Sequence, residues 1–512
     1  MGAKMHHTRC ARAMSLTVHP VRRSRGYCSR TTVLRAFAVL RAALLISPLW
    51  SVAVAAALPG TIAGPVSLDQ AIHLALERNP DLKSAEHALQ AAEAARRAAL
   101  GKLFPQIQAM AWEDLFPNAP SLLLPGYMAV PSLSQVAAPT PQGSMQRMLA
   151  YQSSEFQNSI FNAGVGLSWP IYAGGRLVAG VRGASAEAQA SRERLEQTRQ
   201  QLIFAVTQTY LGIGVAARTQ RAVEVSVRQL REANANLEEF VRVGKKPRLD
   251  LLRVEARLEQ TREALAAVRA QLVTLQGNLR RLLDLNPAGA PLQLVPEIPS
   301  AAVEFPPLAN AVTEALMRRP DYRALQAQVQ AQRARLREAQ GARLPEVDLS
   351  ARAWEAHGNR TGPGDAFRTW EPDSAIMLSF SVPVFTGGTL LSEVHRERAR
   401  LNEVDEHLVA LSQQVRLEVT QEYAELHAAR TERTAARAAV ASGDEAFRLE
   451  REKIAVGAGI VTDLLQAQAA DLQAHMQLYR AEAGVRIAET QLQLAIGVLR
   501  PPSGPPSPPM SP

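Results

Sequence analysis

Cysteine is nearly missing from this 512-residue chain: the two present, Cys10 and Cys28, both lie within the first 57 positions. A chain trimmed after that segment has no thiol, which excludes disulfide frameworks and thiolate metal centres from the remainder. Acidic residues are absent from the same 57 positions, which hold nine basic side chains: Lys4, Arg9, Arg12, Arg22, Arg23, Arg25, Arg30, Arg35 and Arg41. The formal charge of the whole chain is +9, so the part beyond residue 57 is formally neutral. The basicity therefore belongs to a leader, and no nucleic-acid-binding face is implied. Beyond the leader no apolar run reaches the ~18 residues of a membrane-spanning helix, which excludes an inner-membrane transporter. Proline is absent from 171–246 and again from 384–500.

The leader, 1–57, reads as a secretory signal peptide. Its basic stretch precedes the apolar "AALLISPLWSVAVAAALPG" and small residues around Ala55–Ala57. Arg35 and Arg41 interrupt it, so Met14 is an alternative start. An uncleaved anchor is the competing reading, against which stand Pro48 and the small residues that close the run.

Chemistry-bearing clusters are scarce too. His73, His87, His395, His407, His427 and His475 are scattered along helical stretches, with no two at i, i+4 spacing. Asp405, Glu406 and His407 are adjacent, but neighbours on a helix point in different directions. No nucleotide-binding loop and no catalytic triad is present. The expectation is a non-enzyme with no cofactor, no catalytic residue and no metal site.

What is present is a chain written twice. "VTQTY" at 206–210 returns as "VTQEY" at 419–423, and "VGKKPRLDLL" at 243–252 as "VGAGIVTDLL" at 456–465, both 213 positions on. "IYAGGRLVAGV" at 171–181 returns as "VFTGGTLLSEV" at 384–394 with the same offset. Upstream the offset is 240: "ALERNPDL" at 75–82 pairs with "ALMRRPDY" at 315–322, and "LFPQI" at 103–107 with "RLPEV" at 343–347. So long a period is a duplicated unit rather than a short-repeat solenoid.

Each unit follows one plan. The first spans 58–285 and the second 308–499, joined by a Pro-rich linker over 286–307; the Pro-rich tail 500–512 is expected to be disordered. An opening helix starts near Ser67, where Ser67 and Gln70 fit a capping box, or near Leu308, and ends about Gly101 or Gly341. Strands follow at about 105–113 and 160–170 in the first unit and 345–354 and 375–384 in the second. In "EVDLSARAW" the residues Val347, Leu349, Ala351 and Ala353 face one way, and Glu346, Asp348, Ser350 and Arg352 the other. A strand-to-helix turn comes next, Pro170 with Gly174–Gly175 or Pro383 with Gly387–Gly388, where proline is expected to close the strand and the glycines to free the backbone. Helical hairpins complete the units over 176–284 and 390–498, and the first long arm spans about 100 Å at ~1.5 Å per residue.

Four half-apolar strands cannot close a barrel, and an open sheet edge cannot sit in lipid. Copies sharing one barrel would meet both constraints, with a cyclic ring as the natural solution. A soluble coiled-coil scaffold in the periplasm is the alternative; it explains the rods but not the strands.

In its duplicated order, and in the segments "SLDQAIHLALERNPDL", "WPIYAGGR", "VPVFTGGTL" and the paired "VG…D(L)L" turns, the chain resembles the TolC-type outer-membrane efflux proteins from about Ser67 to Leu499. The resemblance implies a mainly α fold with a small β part. It implies a homotrimer whose strands form a twelve-stranded barrel in outer-membrane lipid, continuous with a long periplasmic α-helical barrel. It implies an exit duct of a tripartite efflux or secretion system, partnered by a periplasmic adaptor and an inner-membrane pump. The turns containing Val243, Gly244, Lys245, Lys246 and Arg248, and Val456, Gly457 and Gly459, would form the periplasmic tip where the adaptor docks. Asp463 matches the first of two family aspartates at the constriction, Gln466 replaces the second, and Asp250 occupies the first-copy position. Ile454 and Gly459 stand where well-known members carry a locking Tyr and Arg, so the lock must differ; Lys245, Lys246 and Arg248 are candidates for pairing with carboxylates across the tip. The loops about 114–158 and 357–373 would face outside the cell.

Overall fold

The computed structural model of the protein describes residues 64–115, 159–295, 304–358, 371–455 and 459–502. The expected signal peptide, most of both inter-strand loops, the middle of the linker, Val456 and Gly457, and the tail beyond 502 lie outside the described residues.

Among those residues the elements repeat in order. The first copy contains α1 (Leu68–Arg78), α2 (Pro80–Gly101), β1 (Gln106–Leu115), β2 (Ser159–Ala173), α3 (Arg176–Arg242) and α4 (Arg248–Leu282). The second contains α5 (Leu308–Arg318), α6 (Pro320–Gly341), β3 (Glu346–Gly358), β4 (Glu371–Ser381), α7 (Thr389–Ala455) and α8 (Val461–Ile496). Both long arms, α3 and α7, have 67 residues, about 100 Å of helix. Helices α2 and α4 pack on different stretches of α3, while α3 also meets α6 and α8, and both of these meet α7.

The expected opening helix is in fact two helices in each copy. Pro80 and Pro320 lack the N–H that a continuing helix needs, and the residues before them, Asn79 and Arg319, are extended at φ −55°, ψ 126° and φ −59°, ψ 124°. Asn79 repairs the break: its Oδ1 accepts from the N–H of Asp81 at 2.9 Å and of Leu82 at 3.2 Å. The capping box forms at the start of α1. Ser67 Oγ accepts from Gln70 N at 3.2 Å, and Ser67 N donates to Gln70 Oε1 at 3.0 Å.

This break is also a junction. In the first copy Asn79 Nδ2 donates to the carbonyl of Leu282, at the end of α4, at 3.0 Å. In the second, Arg319 Nη1 reaches the carbonyl of Ala495 near the end of α8 at 3.4 Å and pairs Glu418, while its Nη2 pairs Asp321 at 2.7 Å. Short and long helices thus meet end to end. Beside the junction Tyr210 Oη lies 2.9 Å from the carbonyls of Val66 and Val295, and Tyr423 Oη donates to Pro306 O. A buried apolar cluster of Ala311, Ala315, Val415, Val419, Leu426, Leu492 and Ile496 closes the second copy here.

The strands form one antiparallel sheet in the order β1-β2-β3-β4. Its register puts Ile107, Leu167, Ala351 and Ile376 in one row, and Trp169, Leu349 and Leu378 in another. These rows share a face because residues directly opposite in a ladder do. Gln106, Ser168, Ser350 and Met377 make a row on the opposite face. The expected alternation in "EVDLSARAW" therefore matches the register.

Proline does not close the first strand. Strand β2 runs through Pro170 to Ala173, with a register shift between Pro170 and Tyr172; a bulge leaves one residue outside the ladder, and proline, with no N–H to donate, is tolerated there. In the second copy β4 ends at Ser381, before Pro383. Both Gly-Gly pairs are left-handed, Gly174 and Gly175 at φ 59° and 78°, Gly387 and Gly388 at 60° and 82°. A side chain there would strain the backbone, and at Gly174 a Cβ would also run into the carbonyl oxygen of Gly341.

Candidate functional site

Two places in the molecule are unfinished as an isolated chain: the sheet and the tips of the helical hairpins. Among the described residues β1 and β4 are both edge strands of the sheet. The apolar row is open to solvent, with Ile107 71%, Ile376 80% and Phe380 69% exposed. Largely exposed apolar side chains beside unpaired backbone edges are what soluble proteins avoid.

At the first hairpin tip α3 ends with Val243 as its cap. Gly244 is left-handed at φ 70°, and Lys245 N donates back to Phe240 O at 2.8 Å. That is the glycine-dependent closure of a helix C-terminus. Pro247 then stands before the first residue of α4, Arg248. In the second tip Gly459 N donates to Lys453 O at 3.0 Å, and Ile460 caps α8. A Cβ on Gly459 would lie 2.9 Å from Ile454 Cδ1. The two positions that the resemblance aligned with a Tyr and an Arg thus pack on each other, isoleucine on glycine.

The two tips are tied by two polar contacts, from Lys246 and from Arg253. Lys246 Nζ donates to the carbonyl of Gly459 at 3.3 Å, not to a carboxylate. Arg253 Nη1 lies 3.4 Å from Asp250 Oδ1 and donates to Thr462 Oγ1 at 3.1 Å. Asp250 is therefore engaged by a cation on its own helix. Asp463 and Gln466 are exposed in the first turns of α8, and spacing of three places them on one face. Among the described residues Asp463 makes no ion pair. Its charge is felt by Lys453, whose ammonium is held above its ordinary value first by a hydrogen bond to Glu450 and more weakly by Asp463. Lys245 and Arg248 are exposed.

Sequence reasoning missed Arg253, Lys453 and a group of exposed apolar side chains around the tips: Phe240, Leu249, Leu252 and Ile460, beside the expected Val243. Spacing within one helix could have flagged Arg253 beside Asp250, but its partner Thr462 lies on the other copy. The exposed apolar residues interrupt otherwise polar helix ends, and that interruption was a readable signal.

The model of the family described as "Outer membrane efflux protein" matches residues 131–284 and, separately, 311–498, together well over half the chain. The chain belongs to the outer membrane efflux protein family. The two matches fall one on each copy of the duplicated unit. Among curated relatives, the alkaline protease secretion protein AprF of Pseudomonas aeruginosa is 25% identical over 438 residues, covering 83% of both chains. The outer membrane efflux protein BepC of Brucella suis is 25% identical over 346 residues, 65% of this chain and 71% of its own. The CmeC outer membrane channel of Campylobacter jejuni shares the fold with a TM-score of 0.71 at 18% identity, over 84% of this chain and 85% of that one. This outer membrane efflux protein is an exit duct of the outer membrane, with its helical part in the periplasm. Among the described residues no helix is long and apolar enough to cross a membrane; the sheet is the part with the apolar face.

Proposed function

We propose that three copies of this outer membrane efflux protein join their four-stranded sheets edge to edge. The result is a twelve-stranded outer-membrane barrel continuous with a periplasmic barrel of helices. The observation that carries this reading is the open sheet, with two free edges and an exposed apolar face on one side. Lipid covers the face, and the neighbouring copy satisfies each edge, as no open sheet in a bilayer could manage alone.

The hairpin tips then gather around the symmetry axis at the far end. Three Asp463 carboxylates line the constriction with Gln466 one turn further on, and their negative ring favours cations. Asp250, held by Arg253, positions the tip instead of facing the pore. The exposed Phe240, Val243, Leu249, Leu252 and Ile460, flanked by Lys245 and Arg248, offer an apolar surface with a basic rim to a periplasmic adaptor. That adaptor connects the duct to an inner-membrane pump. The names of the relatives, one an efflux protein and one a protease secretion protein, support both kinds of cargo for such a duct.

Two measurements test the arrangement. Native mass spectrometry in detergent should give a trimer; a monomer after gentle extraction overturns the reading. Asp463→Asn should lower cation preference in single-channel recordings, whereas unchanged selectivity leaves Asp463 only its favourable charge at the start of α8.

A further inference from the structure

We infer that Asp444, Asp471 and His475 form a divalent transition-metal site that ties α7 to α8 in the second hairpin. Asp444 lies on α7, while Asp471 and His475 lie one turn apart on α8. His475 Nε2 is 3.0 Å from Asp444 Oδ1 and 3.7 Å from Asp471 Oδ1. One ligating atom from each of the three lies within 4.8 Å of the other two. Ligands ~2.1 Å from a tetrahedral ion are themselves ~3.4 Å apart, so these spacings need only small adjustments to receive one.

A second observation points the same way. Asp471 Oδ1 is shut off from solvent and has no hydrogen-bond partner among the described residues, an expensive state for a carboxylate oxygen unless something occupies it. A dication held between the two carboxylates would satisfy that oxygen directly. The imidazole is held in place by its neighbours: the Tyr479 ring sits 6.1 Å from it, the Arg218 guanidinium lies 5.9 Å over Tyr479, and Arg218 pairs Glu482 at 3.0 Å.

The duplication makes the cluster stand out. At the matching first-copy positions, 213 residues earlier, Asp444 corresponds to Arg231, Asp471 to Leu258 and His475 to Arg262. Gly443 corresponds to Leu230. Leu230 and Leu258 belong to one buried apolar cluster of the first hairpin. The second hairpin has replaced that packing with a glycine and a carboxylate. A Cβ on Gly443 would come within 3.3 Å of Asp471 Cα, so the glycine lets the two helices approach closely. Glycine is a poor residue for a helix interior, and here it brings Asp444 against the α8 pair. One imidazole with two carboxylates suits Zn²⁺, Co²⁺, Ni²⁺ or Cu²⁺, with further positions open to water because Asp444 is exposed.

The test uses the full-length protein in detergent, stripped with a chelator and titrated with Co²⁺ and with Zn²⁺. One ion per chain should bind saturably. Asp471→Asn and His475→Ala should each weaken binding at least tenfold, while Glu263→Gln, an exposed carboxylate on α4, leaves it unchanged. Absence of saturable binding overturns the site. So does binding indifferent to His475→Ala and Asp471→Asn, which would move the ion elsewhere. X-ray absorption on the unmutated Co²⁺ protein provides a check independent of variant folding. An imidazole in the coordination shell is expected, and a spectrum without one sinks the proposal.

Discussion

The two copies build one junction from different side chains. In the first, a neutral amide, Asn79, caps α2 and donates to Leu282 O; in the second, Arg319 makes the equivalent contact with Ala495 and adds Asp321 and Glu418. Both copies close the last long helix with a left-handed residue, but the first uses Asp284 at φ 54° and the second Gly497 at φ 79°. The return hydrogen bonds match, Leu285 N to Arg280 O at 2.8 Å and Val498 N to Gln493 O at 2.9 Å. The duplication therefore fixed backbone addresses, while the chemistry at each address diverged. Nearer the tip the divergence goes further, from Leu230 and Leu258 to Gly443 and Asp471.

The largest effect is expected at the junction. Arg319→Ala strands Asp321 and Glu418 in a half-buried place and should cost about 3 kcal/mol, as removing one member of a buried ion pair does. Asn79→Ala, which removes a cap, should cost about 1 kcal/mol. Chemical denaturation of the purified protein checks both, and equal losses would erase the distinction between the copies.

Next is an exchange of the two closing residues. Writing the first copy's choice into the second, Gly497→Asp, puts a Cβ within 2.8 Å of the Arg319 backbone and should destabilise by about 2 kcal/mol. The reverse change, Asp284→Gly, relieves a left-handed non-glycine residue and should be neutral or stabilising, by up to about 1 kcal/mol. A loss on both sides would mean that the two closures are not equivalent.

A smaller difference should be visible against pH. Burial pushes the Asp321 carboxyl up, but the hydrogen bonds and charge of Arg319 outweigh it and hold the group below its ordinary value. A depressed carboxyl contributes stability that is present above its unfolded pKa and lost as pH falls through the lower, folded value. In the first copy the matching carboxylate, Asp81, stands beside a neutral amide, Asn79, in place of the cation. Exchange protection of amides around 319–322 should therefore fall on acidification more than around 79–82. Parallel behaviour would count against the ionic account.

Much of the architecture was legible because it rests on local backbone rules. Gly174–Gly175 and Gly387–Gly388 need left-handed backbone, the Ser67–Gln70 box spans three residues, and the alternation of 346–354 declares its own faces. The helix break at Asn79 was less legible, although Pro80 stood in plain view, because the surrounding apolar spacing continues through it. Pro170 misled because a bulge accommodates it within a strand. The contacts of Arg253 with Thr462 and of Arg319 with Glu418, and the Asp444–Asp471–His475 cluster, could not be read, since they join different helices. For the last, Asp444 and Asp471 are 27 positions apart, and the only one-helix hint was an Asp four residues before a His.

The account turns on sheets from separate copies completing one lipid-embedded cylinder. Planar-bilayer recording of the purified protein tests this most directly. Discrete conductance steps from a trimeric preparation are expected, with conductance abolished when an edge strand is blocked, for example by Ala375→Pro in β4. Silent bilayers, or a water-soluble monomer that ignores lipid, would contradict it.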